Sequence, residues 1–311
     1  MKTLILSTKT GQGHNTASYA LQTALEENGV EAVVADILHS GEKDVSAFVS
    51  ALYDNLVLHV PFFFGMLYHA RELVSSAKHH SPIYYLNSIY SKRLYEGIAK
   101  IGPDVIVCPH IFRAQAITRL REKYKLTIPA LGILTDYTCS PFWEETGLDA
   151  YVIPAAQLAD EFSGKGIAKE KLYPLGIPVP PHFQERRPRD QARRSFGITA
   201  DKVFVAMGGS MGYGNIHGLA SMLIERLPDA QVVAVCGKNE RLYQRLAGLR
   251  NVMPFGYVDN VDHLMDTADI LITKPGGLSA TEAMVKQVPV VLTCPIPGGE
   301  VRNAQLLSSI G

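Results

Sequence analysis

Twice in this chain an apolar run of strand length stops at a cluster of glycines and gives way to a helical pattern. Leu4-Ile5-Leu6 leads into Thr10-Gly11-Gln12-Gly13-His14-Asn15-Thr16, and a helical stretch runs from Ala17 to Asn28. Lys202-Val203-Phe204-Val205-Ala206-Met207 leads into Gly208-Gly209-Ser210-Met211-Gly212-Tyr213-Gly214-Asn215, and a second helical stretch runs from Ile216 to Leu227. A short continuous apolar run bounded by glycine reads as a strand of a parallel sheet, buried on both faces, and the helix after it is its crossover. The repeated pattern predicts an α/β fold in two halves, each opening with strand, glycine turn and helix. Proline-dense Pro178-Val179-Pro180-Pro181 and the charge run Glu185 to Asp190 mark a linker between them. The expected domains are residues 1–180 and 181–311.

Within this rhythm the second half carries a third glycine turn. Ala268-Asp269-Ile270-Leu271-Ile272 reads as a buried strand, followed by Thr273-Lys274-Pro275-Gly276-Gly277-Leu278-Ser279-Ala280-Thr281-Glu282-Ala283. A glycine pair at a strand-to-helix junction lets backbone N–H groups approach an anion, and the helix N-terminus adds partial positive charge. Ser279 and Thr281 can cap that helix or bond a ligand, and a plain helix cap after a glycine turn would also satisfy the pattern. In the first half, two apolar runs end in polar residues: Pro109-His110 after Asp104–Cys108, and Thr135-Asp136-Tyr137 after Ala130–Leu134. Polar residues at the C-terminal ends of parallel strands line the ligand crevice of open α/β sheets, although satisfied loop residues read the same way. The first glycine turn is not G-x-G-x-x-G, because Thr16 stands at the third glycine position, so a dinucleotide is a weak reading. His14, at the head of the first helix, is either a surface histidine or a base in that crevice.

Composition narrows the classes. At 311 residues with 47% hydrophobic content the chain can bury a sizeable core. Its 30 basic and 30 acidic side chains cancel, which argues against nucleic acid as a partner. The four cysteines, Cys108, Cys139, Cys236 and Cys294, show no C-x-x-C spacing and read as buried reduced thiols, not as a disulfide framework or zinc site. No apolar run approaches the roughly 18–20 residues of a spanning helix. Residues 55–70 contain no Asp, Glu, Lys or Arg and hold Pro61-Phe62-Phe63-Phe64. They read as a core helix pair or as an aromatic surface that docks on a bilayer, with Lys78, His79, His80, Lys92 and Arg93 as its basic rim. The five arginines from Arg186 to Arg194 read as a solvated helix face. Arg302 to Gly311 reads as an opening helix that stops abruptly, so an incomplete C-terminus is expected.

In order along the chain stand Gly11-Gln12-Gly13-His14, Leu134-Thr135-Asp136-Tyr137 with Pro141-Phe142-Trp143, Met207-Gly208-Gly209-Ser210, Lys274-Pro275-Gly276-Gly277-Leu278-Ser279 with Glu282, and Pro297-Gly298-Gly299-Glu300 with Asn303. This set resembles the GT-B glycosyltransferases of family 28, in the branch of monogalactosyldiacylglycerol synthases, processive diacylglycerol glucosyltransferases and the MurG enzymes. Thr135-Asp136 followed by Pro-Phe-Trp favours the lipid-glycosylating members. The resemblance covers nearly the whole chain, and Gly299 stands where lipid-branch members often carry Gln.

The resemblance implies two Rossmann-like domains facing across a cleft, the first on the acceptor and membrane side and the second holding the donor. It implies an inverting transfer of a hexose from UDP-glucose or UDP-galactose to diacylglycerol, with no cofactor and no metal. A MurG-like UDP-GlcNAc transferase and a UDP-GlcNAc 2-epimerase of the same fold are the alternatives. By position Gly209 and Ser210 approach the diphosphate, and Phe255, Gly256 and Tyr257 lie beside the uracil. Gly276, Gly277, Leu278 and Ser279 reach the phosphates, with Thr281 beside them, and Glu282 the ribose hydroxyls. Glu300 and Asn303 touch the sugar. His14 is the first candidate for the general base and Asp136 the next, because inversion needs one group to take the acceptor's proton and histidine has the suited pKa. The resemblance places the enzyme peripherally on the cytoplasmic face of the cell membrane, on anionic lipid, with residues 55–68 at the acceptor and bilayer. Changing Phe62, Phe63 and Phe64 together to Ser is expected to diminish liposome binding in a flotation assay, and undiminished binding would rule out the aromatic docking surface.

Overall fold

The computed structural model describes residues 1–7, 12–37 and 91–310. The stretch 55–68, the triplet Phe62 to Phe64 and the turn residue Gly11 lie outside the described residues. Two compact units result: Met1–Pro180 with Pro297–Arg302, and Pro181–Ile296 with Asn303–Gly311.

The first unit holds a parallel sheet in the order β2-β1-β3-β4-β5-β6. Its strands are β1 (Lys2–Leu6), β2 (Glu31–Ala35), β3 (Val105–Cys108), β4 (Ala130–Ile133), β5 (Ala150–Ile153) and β6 (Leu172–Pro174). The central strand β1 pairs with β2 on one side and β3 on the other, and Leu4, Ile5 and Leu6 have no exposed surface. That double-sided burial is why the strand reads as a continuous apolar run. Crossover helices are α1 (Gln12–Glu27), α2 (Ser91–Ile101) and α3 (Ile111–Tyr124), with a short α4 (Ala159–Gly164). Helix α1 begins at Gln12, five residues before the start expected from the sequence, so His14 sits in its first turn. Gly13 did not delay the helix because glycine is unfavourable chiefly in helix interiors and is tolerated in a first turn.

The second unit starts with α5 (Arg189–Ser195) and holds a parallel sheet in the order β11-β10-β7-β8-β9. Its strands are β7 (Lys202–Met207), β8 (Ala230–Val235), β9 (Val252–Phe255), β10 (Ile270–Thr273) and β11 (Val290–Leu292). The helices are α6 (Ile216–Arg226), α7 (Glu240–Ala247), α8 (Val261–Met265) and α9 (Gly277–Lys286); a last helix, α10 (Gly299–Ser309), has residues through Arg302 in the first unit and those from Asn303 in the second. Val203, Val205, Ala206, Val232, Val233 and Ala234 are fully buried, so β7 and β8 form the centre of this core.

The arginine run is not a plain solvated face. Asp269, at the head of β10, accepts from the Val203 N–H at 2.7 Å, from Arg193 at 2.6 Å and from Arg189 at 2.9 Å. Arg186 donates to Gln287 at 2.6 Å and to the Val285 carbonyl at 3.2 Å. Fixed carboxylate and carbonyl acceptors therefore fasten the segment after Pro181 to its own sheet, which a periodicity reading could not see. Beneath it lies a buried pair. The Lys286 ammonium, with no exposed surface, lies 2.9 Å from Asp266, itself 4% exposed, and also donates to the Glu185 carbonyl. Removing one member of such a pair strands a charge without water, at a cost of about 3–5 kcal/mol. Asp266→Ala is accordingly expected to lower unfolding free energy in urea by that amount, and an unchanged midpoint would contradict the role of the pair.

Candidate functional site

The C-terminal edge of the first sheet gathers titratable side chains. Pro109 and His110 follow β3, Thr135 and Asp136 follow β4, and α1 brings His14 to the same edge. The His14 Nδ1 lies 3.1 Å from the Pro109 carbonyl oxygen and 3.1 Å from the Thr135 hydroxyl. A carbonyl oxygen only accepts, so Nδ1 carries the proton and Nε2 is the basic nitrogen. Burial lowers the His14 pKa, and the Asp136 carboxylate and the Pro109 carbonyl only partly offset this by favouring the cation. The neutral imidazole therefore prevails at neutral pH, the form that accepts a proton. His110 stands 4.5 Å away, ring centroid to ring centroid, at 71°.

Neighbouring contacts hold this edge in shape. Arg113, in the first turn of α3, donates to the Ser7 carbonyl at 2.9 Å and pairs with Asp36, at the end of β2, at 2.6 Å. The Ser7 hydroxyl donates to the Asn15 side-chain oxygen at 2.5 Å. Asp136 is half-buried and accepts from Ser140 at 3.3 Å. The loop beyond it is tied by Glu161, which accepts from the Thr138 hydroxyl at 2.8 Å and the Cys139 N–H at 2.9 Å. Phe142, before the buried Trp143, has φ of 80°, a left-handed conformation unusual for a bulky residue.

In the second unit the glycine loop after β7 folds back on itself. The Tyr213 N–H donates to the Gly208 carbonyl at 2.9 Å and the Gly212 N–H to the Gly209 carbonyl at 3.0 Å. Gly209 has φ of +70°, and a Cβ there would stand 3.0 Å from the Lys274 side chain. At Gly212 a Cβ would stand 2.3 Å from the Cys236 carbonyl oxygen, so only glycine lets the loop lie this close to the end of β8. Ser210 is half-buried, and its carbonyl accepts from the Lys238 backbone N–H at 2.9 Å. A small cavity at this edge is lined by Met207, Tyr213, Gly214, Lys274 and Cys294 among others.

The turn after β10 is shorter than the sequence predicts, since α9 starts at Gly277. Its N-cap is Gly276, with no side-chain cap; Ser279 lies inside the helix, and Thr281 bonds back to the Gly277 carbonyl at 2.7 Å. Neither hydroxyl therefore caps the helix. Gly277 and Leu278 are buried. Glu282 is 7% exposed, and burial first, then the charge of Asp262, pushes its carboxyl up to about 7. At the end of β9, Phe255 is half-buried with its ring edge-on to Phe196 at 5.8 Å, Gly256 follows, and Tyr257 is 52% exposed. Glu300 lies half-buried in the first turn of α10. Asn303, expected at the sugar, has no exposed surface, and its amide donates to the Pro275 carbonyl at 3.0 Å.

Sequence reasoning missed the Arg113–Asp36 pair and the Asn303 brace, because neither spacing nor periodicity joins residues 77 and 28 positions apart. The thiols are free, as expected, but Cys294 is exposed while Cys108, Cys139 and Cys236 are buried. Cys294 has φ of 48° at the end of β11, which turns it outward from the apolar run that precedes it.

Residues 14–179 match the monogalactosyldiacylglycerol (MGDG) synthase family, and residues 203–309 match the glycosyltransferase family 28 C-terminal domain. A processive diacylglycerol beta-glucosyltransferase of Bacillus cereus strain G9842 is 29% identical over 318 residues, covering 100% of this chain and 80% of the relative. Its counterpart in Bacillus anthracis strain CDC 684 is 28% identical with the same coverage. Among solved structures, MurG of Acinetobacter baumannii is similar with a TM-score of 0.55 at 15% identity, covering 100% of this chain and 84% of that one. Spinosyn rhamnosyltransferase SpnG, complexed with spinosyn aglycone, is similar with a TM-score of 0.60 at 17% identity, covering 99% and 84%. At these identities the structural likeness shows the fold, two parallel-sheet α/β units of the GT-B class.

Proposed function

The chain belongs to the monogalactosyldiacylglycerol synthase family, and from that premise we propose that it transfers a hexose from a UDP-sugar to diacylglycerol with inversion. The relatives named as diacylglycerol glucosyltransferases support the lipid acceptor and favour glucose as the sugar. The observation that carries the donor reading lies in the second unit. Of the helices after its glycine turns, α6 is capped by the Asn215 side chain, whereas α9 opens at Gly276 with no side-chain cap. The first N–H groups of a helix need a partner, and a diphosphate supplies one where the helix dipole favours negative charge.

In this reading Gly209, Ser210, Gly276, Gly277, Leu278 and Ser279 meet the diphosphate, with Thr281 supporting the helix start. Tyr257, exposed, stacks on the uracil beside Phe255 and Gly256. Glu282 accepts from the two ribose hydroxyls, and Glu300 meets the sugar. Asn303 braces the turn through Pro275. The acceptor hydroxyl attacks the anomeric carbon and its proton passes to His14 Nε2, with Asp136 favouring the imidazolium that forms. The bond from the anomeric carbon to the β-phosphate oxygen breaks, and UDP departs with the electron pair. Backbone N–H groups and the α9 N-terminus stabilise that charge without a metal. Among the described residues no helix is long and apolar enough to cross a membrane. A lipid acceptor then calls for a peripheral enzyme, which we place on the cytoplasmic face.

The direct test offers labelled UDP-glucose and UDP-galactose to the protein with diacylglycerol liposomes. Monohexosyl or oligohexosyl diacylglycerol is the expected product, and product formed only on soluble or polyprenyl acceptors would overturn the reading. Glu282→Ala is expected to weaken UDP-glucose binding in calorimetry by roughly 1.5–3 kcal/mol, the worth of a charge-assisted hydrogen bond. With the free carboxyl near 7, the ionised form that accepts both hydroxyls is favoured as pH rises. Wild-type affinity should therefore increase from pH 6 to pH 8, since the diphosphate diester has no group titrating there. Equal affinity in the variant and a flat pH response would remove the ribose role.

A further inference from the structure

We propose that His110 is a positioning residue for His14: the Pro109–His110 step at the end of β3 grips the His14 imidazole at two points and fixes its orientation and tautomer. This rests on the reading of His14 as the general base. The first grip is the Pro109 carbonyl on His14 Nδ1 at 3.1 Å. The second is the His110 ring, near-perpendicular to that of His14 with centroids 4.5 Å apart. The edge-to-face arrangement is the preferred geometry for two rings and resists rotation of either.

His110 is itself held on two sides. Its Nδ1 accepts from the Phe112 N–H at 3.2 Å, as the N-cap of α3, and its ring lies 4.9 Å from that of Phe112. With Nδ1 accepting, the His110 proton sits on Nε2, and no lone pair is left for base catalysis. Burial, then the charges of His14 and Arg113, hold its pKa well below the usual histidine value. His110 therefore stays neutral and acts through His14 rather than on the substrate. Among the described residues the charged groups facing the pair are Asp136 from the loop after β4 and Arg113 from α3, the latter neutralised by Asp36 at 2.6 Å. Of all these contacts, the His110 ring is the one that a substitution removes while leaving the hydrogen bonds of His14 in place.

His110→Asn tests this, because an asparagine oxygen can still cap α3 while the ring is gone. The expected result on diacylglycerol liposomes is a roughly ten- to hundredfold loss of kcat, the scale of a misplaced catalytic group, with an unchanged KM for UDP-glucose. Burial now lowers the His14 pKa, so admitting water should raise it toward 6.5. Both the acid limb of the kcat–pH profile and the NMR titration of the His14 ring protons should move up. An unchanged kcat and an unmoved His14 titration in the folded variant would overturn the proposal, as would a raised KM at constant kcat. Should the Asn variant not fold, His110→Ser, which keeps a capping oxygen, carries the same readouts. A His14→Ala arm separates the premises. Turnover surviving there defeats the base reading, and the NMR titration, which does not depend on catalysis, still decides whether His110 positions the ring.

Discussion

Both sheets are parallel throughout, and this constraint governs where chemistry can sit. Helices cover the faces of such a sheet, so its strands bury side chains on both sides, as the fully enclosed Leu4, Ile5 and Leu6 do. Polar groups are left to the strand ends, where each strand stops and its helix begins. In the first unit that edge holds His14, His110, Thr135 and Asp136. In the second it holds the loop Gly208–Gly214 and the turn Lys274–Gly276. The two edges differ in kind. One presents a neutral imidazole beside a carboxylate, and the other presents backbone N–H groups, a lysine and a helix start. Proton removal and anion stabilisation are the two tasks of the inverting sugar transfer proposed above, and the proposal assigns one to each edge.

Burial sets the electrostatics of both edges. At His14 the loss of water outweighs the pull of Asp136, so the ring remains a base at neutral pH. At Glu282 the same loss, reinforced by Asp262, holds the carboxyl near 7, poised between acid and carboxylate. The structural ion pairs behave differently. Arg113 with Asp36, and Lys286 with Asp266, are each matched by an opposite charge and further hydrogen bonds, so they fix backbone. Separating these two kinds of buried charge distinguishes the candidate site from its scaffold.

Much of the fold was legible because its signals are local. Strand β7 spans Lys202 to Met207 as its apolar run does, and the glycine turn and helix follow in register. The starts of α1 and α9 were misjudged, since glycine was read as turn where it forms the first helical residues. What remained hidden depends on residues distant in sequence. The arginines after Pro181 looked solvated because Asp269 and Gln287, their partners, lie in later elements. The Asn303 bond to Pro275 was hidden because it joins residues distant in sequence. His110 was visible only as a polar residue at a strand end, and its relation to His14 emerges from the pairing of β1 with β3.

The measurement that bears most directly on this division of labour is a paired assay of His14→Ala, comparing UDP-glucose affinity by calorimetry with glycolipid formation on diacylglycerol liposomes. Donor affinity within twofold of wild type, with turnover reduced at least a hundredfold, is the predicted result, in line with the scale of general base catalysis at about 10²–10⁴. An unaltered rate of glycolipid formation would contradict it.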